Sequence, residues 1–321
     1  MKATDYTYAV ARIRANEARL ITRAEMHSLV SAPSFQECAR RLREKGYEIE
    51  GTDYAPALDK KLYELWQLLQ EILPDPAQFG SILIKNDFHN LKVCLKALLA
   101  GRAPEGLFVS PSLYDPAEIK KHVFARENDL LPPELQHADR SAYRILTKTG
   151  FAQLADTVID RAALEHAVIK ARGADNPLLL ALAETNAALT DIKVLYRCIL
   201  TGKEASFMER AVCACEAFNK ADIIAAAAQG MEAFKEFLSH TAFAAGADAL
   251  SESAQVYEKY ADDTLLALLS AGKSEPFGST ALAGYYYAVR TEVLNIRILL
   301  SGKLNGLPDE EIRERMRLLY V

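Results

Sequence analysis

Apolar residues recur along nearly the whole chain at spacings of three and four, the beat of a helix that buries one face. In the first stretch Tyr6, Val10, Ile13 and Leu20 share a face. In "NDFHNLKVCLKALLAGR" the stripe includes Cys94 and Leu98, and near the C-terminus Val289, Ile296 and Leu300 repeat the pattern. Alanine, leucine, glutamate, lysine and arginine dominate, all good helix formers. No run of alternating β-branched residues reads as a strand. Prolines at 33, 56, 74 and 76, a cluster from 104 to 133, and then 177, 276 and 308 fall between the periodic stretches, where helices start or loops run. The pattern predicts an all-α protein.

Three of these helices end alike, as "KALLAGR", "RCILTGK" and "RILLSGK". Aligned on Gly101, Gly202 and Gly302, the copies lie 101 and 100 residues apart. A base stands five residues before each glycine (Lys96, Arg197, Arg297) and another follows it (Arg102, Lys203, Lys303). One such ending predicts a helix closed by a left-handed glycine, with cations near the negative end of the helix dipole. Three at equal spacing predict a repeated helical module, with units at 1–105, 106–205 and 206–321.

Polar residues interrupt the stripes at set places. Glu17 falls on the face of Ile13 and Leu20, and Glu292 and Asn295 on that of Val289 and Ile296. Asp87 and Asn90 share the face of Cys94, and Asp191 takes the place of Asn90 when the glycines are aligned. A buried carboxylate costs several kcal/mol unless paired, so each is expected to meet a base: Arg12, Arg14, Lys92, Lys193 and Arg297 are at hand. Two readings compete for these residues. They are clips that fix the register between helices, or they line a surface that meets a partner. A catalytic pair of carboxylates is a third reading.

Composition narrows the choice. The 321 residues carry 38 basic against 43 acidic side chains, a net charge of −5, without the basic excess of a nucleic-acid binder. Five cysteines, an odd number without framework spacing, fit a reducing cytoplasm. The N-terminal stretch lacks the apolar core of a signal peptide, and no apolar run approaches the ~18–20 residues that span a bilayer. "SAGKSEP" lacks the upstream glycine of a phosphate-binding loop, since Ala267 occupies that place, and reads as a loop. Cys213 and Cys215 form a C-x-C pair without a second pair, and read as a helix start with two core thiols. The six histidines form no H-E-x-x-H set. No catalytic, cofactor-binding or metal-binding residue is therefore expected. The tail "LPDEEIRERMRLLYV" reads as a capped helix whose Ile312, Met316 and Leu319 dock on the core.

Taken together, these stretches resemble one family. "YTYAVARIRANEARLI", the D-x-x-N-L-K of "NDFHNLKVCLKALLAGR", and the E-x-x-N-I-R of "EVLNIRILLSGKLNGLPDEEIRERM" are similar to the C-subunit family of V-type and A-type ATPases, relatives of the eukaryotic V-ATPase d protein. The resemblance implies a three-lobed, funnel-shaped, non-catalytic part of a rotary motor. It implies partners in the central-shaft subunits and the membrane rotor ring, torque passed between ATP turnover and cation transport, and a cytoplasmic place against the inner face of the membrane, reached only through the ring. The alternatives are a helical-repeat scaffold that binds proteins in a groove, although repeats near 100 residues are long for one, and a di-metal helical bundle, whose paired Glu-x-x-His motifs are missing here.

Overall fold

The computed structural model describes residues 6–74, 79–104, 106–174, 176–271, 273 and 278–321. Among these the chain is 76% helical, with sixteen α-helices and no strands, and the all-α expectation holds. Pro76, Gly272, Ser274 and Pro276 lie outside the described residues, and with them the loop expected at "SAGKSEP". Contacts divide the chain into two compact units, one built from residues 1–76 and 252–321, the other from 77–251.

The first unit pairs both ends of the sequence. Its helices are α1 (Thr7–Glu17), α2 (Arg23–Val30), α3 (Phe35–Glu44), α4 (Ala55–Ile72), α14 (Ala254–Ala271), α15 (Thr280–Leu304) and α16 (Asp309–Arg315). α15 is its hub, touching α1, α3, α4, α14 and α16. Val289, Val293, Ile296, Leu299 and Leu300 are buried along it, facing a core that includes Ile13, Leu42, Leu58 and Leu69. Local sequence sets where the helices begin. Thr22 and Glu25 form a reciprocal capping box at α2, and Ser34 accepts from Glu37 N at α3.

The second unit is built around a layer of long helices: α5 (Gly80–Ala100), α7 (Pro133–Thr149), α8 (Ala152–Gly173) and α9 (Pro177–Leu200). α8 packs against the other three. Shorter helices surround them: α6 (Pro116–Ala125), α10 (Ala205–Ala211), α11 (Lys220–Gln229), α12 (Met231–Ser239) and α13 (Ala244–Glu252). Ile84, Phe88, Leu91, Leu95, Ile119, Leu135 and Ile159 form its main cluster. Pro116, Pro133 and Pro177 stand in the first turns of α6, α7 and α9, where a missing N–H costs nothing.

The long helices α5 and α9 close with Gly101 at φ 63° and Gly202 at φ 60°. Behind each glycine the chain turns back onto the helix, Arg102 N donating to Ala97 O at 3.0 Å and Lys203 N to Cys198 O at 2.9 Å. Gly302 departs from the expectation of a cap. It lies inside α15, and the cap glycine is Gly306 at φ 68°, one turn later, with Leu307 N donating to Gly302 O at 2.9 Å. Gly302 is small for a different reason: a Cβ there would stand 2.6 Å from Ile312 Cγ1 of α16. The two helices close on each other across that gap.

Candidate functional site: polar clips between long helices and returning straps

The corrected cap changes the register of the three copies. Counted back from Gly101, Gly202 and Gly306, Asn90, Asp191 and Asn295 each stand eleven residues before the cap. Asp87 and Glu292 both stand fourteen before it, and Lys92, Lys193 and Arg297 nine before it. The motifs "DFHNLK", "ALTDIK" and "EVLNIR" thus fall into one alignment.

The side chain eleven residues before each cap does the same work in all three helices. It grips the strap to which the chain returns after the helix. Asn90 Nδ2 donates to Val109 O at 3.1 Å and its Oδ1 accepts from Val109 N at 2.8 Å. Asn295 makes the same pair of bonds with Arg317, at 3.0 Å to the carbonyl and 2.8 Å from the amide. An amide side chain carries one donor and one acceptor edge, so it mimics a neighbouring strand and satisfies both polar groups of one strap residue. At Asp191 the partner is Cys213, whose amide donates to Oδ1 and whose thiol donates to Oδ2, both at 3.2 Å.

The straps arise from the sequence between cap and clip. After α9 and after α15 a seven-residue helix intervenes, α10 or α16, and each ends in extended backbone at Val212 or Met316. The gripped residue is the next one, Cys213 or Arg317. The C-x-C pair therefore does not open a helix: Cys213 lies buried in the strap and Cys215 bridges to Phe218 in a short turn. For the same reason the C-terminal helix stops at Arg315, and Leu319 belongs to the strap rather than to a helical stripe.

The carboxylates add further grips, and their partners differ from the bases expected. Asp87 accepts from Leu113 N at 3.1 Å and Tyr114 N at 2.9 Å. Glu292 accepts from Ile21 N and from the Tyr47 hydroxyl, both at 2.6 Å. Backbone N–H groups, a hydroxyl and a thiol replace the bases because such neutral donors enter the core at lower desolvation cost than an ammonium or guanidinium. Glu17 does pair with Arg14, at 2.8 Å, on the edge of the core. Arg297 is half-exposed and reaches Asp59 at 3.9 Å, so it is a surface residue rather than the counter-ion of Glu292. Lys92 likewise turns outward, to Asp160 at 2.5 Å.

Burial dominates the ionisation of these groups. The Asp87 carboxyl is pushed up to about 6 and that of Asp191 to about 7, because desolvation of the charged form outweighs the N–H donors that favour it. Glu292 is raised for the same cause, and Tyr47 beside it is raised by burial and the neighbouring carboxylate.

Sequence reasoning missed Glu184 and Asp139. Glu184 accepts from Glu216 N at 2.9 Å and pairs with Arg172; it stands seven residues before Asp191, on the same helical face, which is the signal that could have found it. Asp139 is buried between Arg126 and Asn128. Asn295 and Arg317 also border a cleft of about 330 Å³ with Arg23, Lys259 and Arg313. Among the described residues no group of three His, Cys, Asp or Glu side chains is placed to hold a metal ion.

The polar positions that grip the straps are thus the ones carrying the D-x-x-N-L-K and E-x-x-N-I-R patterns. A family model described as ATP synthase (C/AC39) subunit matches residues 9–315. The chain belongs to that family. The C subunit of the V-type sodium ATPase of Enterococcus hirae is 25% identical over 317 residues, covering 96% of this chain and 97% of that protein. The C subunit of the A-type ATP synthase of Methanocaldococcus jannaschii is 26% identical over 352 residues, covering 96% of this chain and 85% of its own length. The corresponding protein of Pyrococcus horikoshii is 30% identical over 125 residues, about a third of each chain. As a member of the C/AC39 family the chain is a non-catalytic, structural subunit, and no helix among its described residues is long and apolar enough to cross a membrane.

Proposed function

We propose that this chain is the central-stalk subunit of a V/A-type rotary ATPase that joins the central shaft to the membrane rotor ring and transmits torque between ATP turnover and cation transport. The observation that carries the reading is the extent of the match: the C subunit of a V-type sodium ATPase aligns over 97% of its own length, so the likeness runs through that whole protein rather than through one shared part. The clips support it physically. A torque element must not shear internally, and side chains that bond both backbone groups of a returning strap resist sliding along the helix axis. The grip on a returning strap that recurs eleven residues before the cap, at Asn90, Asp191 and Asn295, supports an origin from three copies of one helical module, near 1–105, 106–205 and 206–321, and with it the three-lobed funnel that the family resemblance implies. Membrane attachment is then indirect, through the ring, on the cytoplasmic side.

The test is co-expression with the shaft subunits and the ring from the same genome, followed by native mass measurement. A complex containing all three components, without ATPase activity in the isolated chain, is the expected result. A monodisperse chain that binds neither component would instead favour a helical-repeat scaffold with other partners.

A further inference from the structure

The helices α5, α9 and α15 each expose one leucine at the same place, two residues before the glycine that caps them. Leu99 is 45% exposed, Leu200 63% and Leu304 48%. Their neighbours Leu95, Leu195 and Leu299, one turn or so earlier, are fully buried. The recurrence in three separate helices ties the exposure to position.

Two of these leucines stand at one end of the second unit. Lys96 Nζ meets Asp156 Oδ2 at 2.7 Å, which sets the last turn of α5 beside the first turns of α8. Lys203 Nζ lies 5.3 Å from the ring centroids of both Phe151 and Phe207, which sets the end of α9 beside the same turns. Phe151, where α8 begins, is itself 39% exposed. Arg102 and Lys148 are exposed at this end without an ion-pair partner among the described residues. Of the nearby acids, Asp156 is already paired with Lys96, and Glu204, exposed beside Lys203, is outnumbered by the three cations.

We propose that this end of the second unit, with Leu99, Phe151 and Leu200 at its centre and Arg102, Lys148 and Lys203 around them, is a docking face for a protein that presents an apolar centre flanked by carboxylates. An apolar centre within a charged rim is the anatomy of a protein interface, and the unpaired cations set the sign of the rim it fits. A lipid surface fits less well. α5, α7 and α9 all end here, at Gly101, Gly150 and Gly202, and the terminal carbonyls that the cap bonds leave over need donors, which water or a protein supplies and hydrocarbon does not. The inference rests on the stalk reading for the partner's identity, a shaft or ring component of the same complex.

The experiment compares the full chain with L99Q/L200Q and with R102E/K148E, substitutions at exposed positions whose thermal melts verify an intact fold. Each is titrated against purified shaft subunits and against the detergent-solubilised ring. The face is supported if the wild-type chain binds and both variants weaken binding to one partner at least tenfold with unchanged melts. Equal binding by wild type and variants overturns the face while leaving the stalk reading intact. Absence of any complex with the wild-type chain overturns both. Wild-type binding to phosphatidylglycerol vesicles that is lost in L99Q/L200Q overturns the protein-partner assignment in favour of lipid.

Discussion

Asn295 and Arg317 are joined by two bonds, the side-chain amide of one reading both backbone groups of the other at 3.0 and 2.8 Å. Asn295 is fully buried, so removing its amide leaves the Arg317 N–H and C=O desolvated without a partner. Asn295→Leu, close in size but without either polar edge, is expected to cost about 2–4 kcal/mol, at ~1–3 kcal/mol per unsatisfied group with some relief from water at the strap. Asn90→Leu, facing Val109, is expected to cost the same amount. Urea denaturation of both variants measures this, and a loss under ~0.5 kcal/mol in both would show that the straps are held by packing alone.

Asp191 is the exception among the three clips, and it makes stability depend on pH. Its carboxyl and that of Asp87 sit at about 7 and about 6, above the ordinary value of 3.8. An acid whose pKa is raised by folding holds its proton more tightly in the folded state. Its stabilising contribution is therefore full below about pH 4 and is lost as pH rises through 6 to 7. Asp191→Asn should flatten the fall between pH 4 and 8 and stabilise the chain at pH 8 by on the order of a few kcal/mol, since an amide is neutral throughout and keeps an acceptor for Cys213 N. Denaturation midpoints of wild type and variant across that range decide it. Parallel curves would mean that Asp191 does not titrate there.

Much of this is legible in the residues alone, and the gaps have physical causes. Helical periodicity gives the all-α class because α5, α9 and α15 each bury a stripe at regular spacing. The polar interruptions at Asp87, Asn90, Asp191, Glu292 and Asn295 are visible for the same reason, since a helix face shows an intruder at once. Their partners are not, because Val109, Cys213 and Arg317 contribute backbone groups, and backbone bonding leaves no mark on residue type. The register slips by one turn at Gly302, because a glycine kept small for packing and one kept for its positive φ look alike in sequence. Glu184 and Asp139 hide on stripes rich in alanine, where the apolar pattern is too faint to display an interruption.

Glu292 carries the longest sequence separation of these grips, holding Ile21 N and the Tyr47 hydroxyl from residues 271 and 245 positions away. Glu292→Ala is expected to destabilise the chain by about 2–4 kcal/mol through those two orphaned donors, rather than through an unpaired base. Glu292→Gln keeps an acceptor for one or both and should cost less than half as much. A double-mutant cycle with Tyr47→Phe separates the hydroxyl's share: the coupling should be about 1–2 kcal/mol. Additive effects would show that the Tyr47 bond contributes nothing.

Gly302 and Gly306 offer a test of the shifted register itself. An alanine at 302 would bring its Cβ to 2.6 Å from Ile312 Cγ1 and 2.8 Å from Ile312 Cδ1, and Ile312 is fully buried. The side chain cannot swing into solvent, so α16 has to move outward, at about 1–3 kcal/mol for overpacking. An alanine at 306 meets no atom within 4 Å but must adopt φ 68°, which costs ~1 kcal/mol. The two costs respond differently to a second change. Ile312→Val, which removes the Cδ1 methyl group, should recover part of the Gly302→Ala loss and none of the Gly306→Ala loss. If instead Gly302→Ala proved the milder substitution and Ile312→Val left it unchanged, the cap would belong at 302 and the alignment of Asn295 with Asn90 and Asp191 would fall with it.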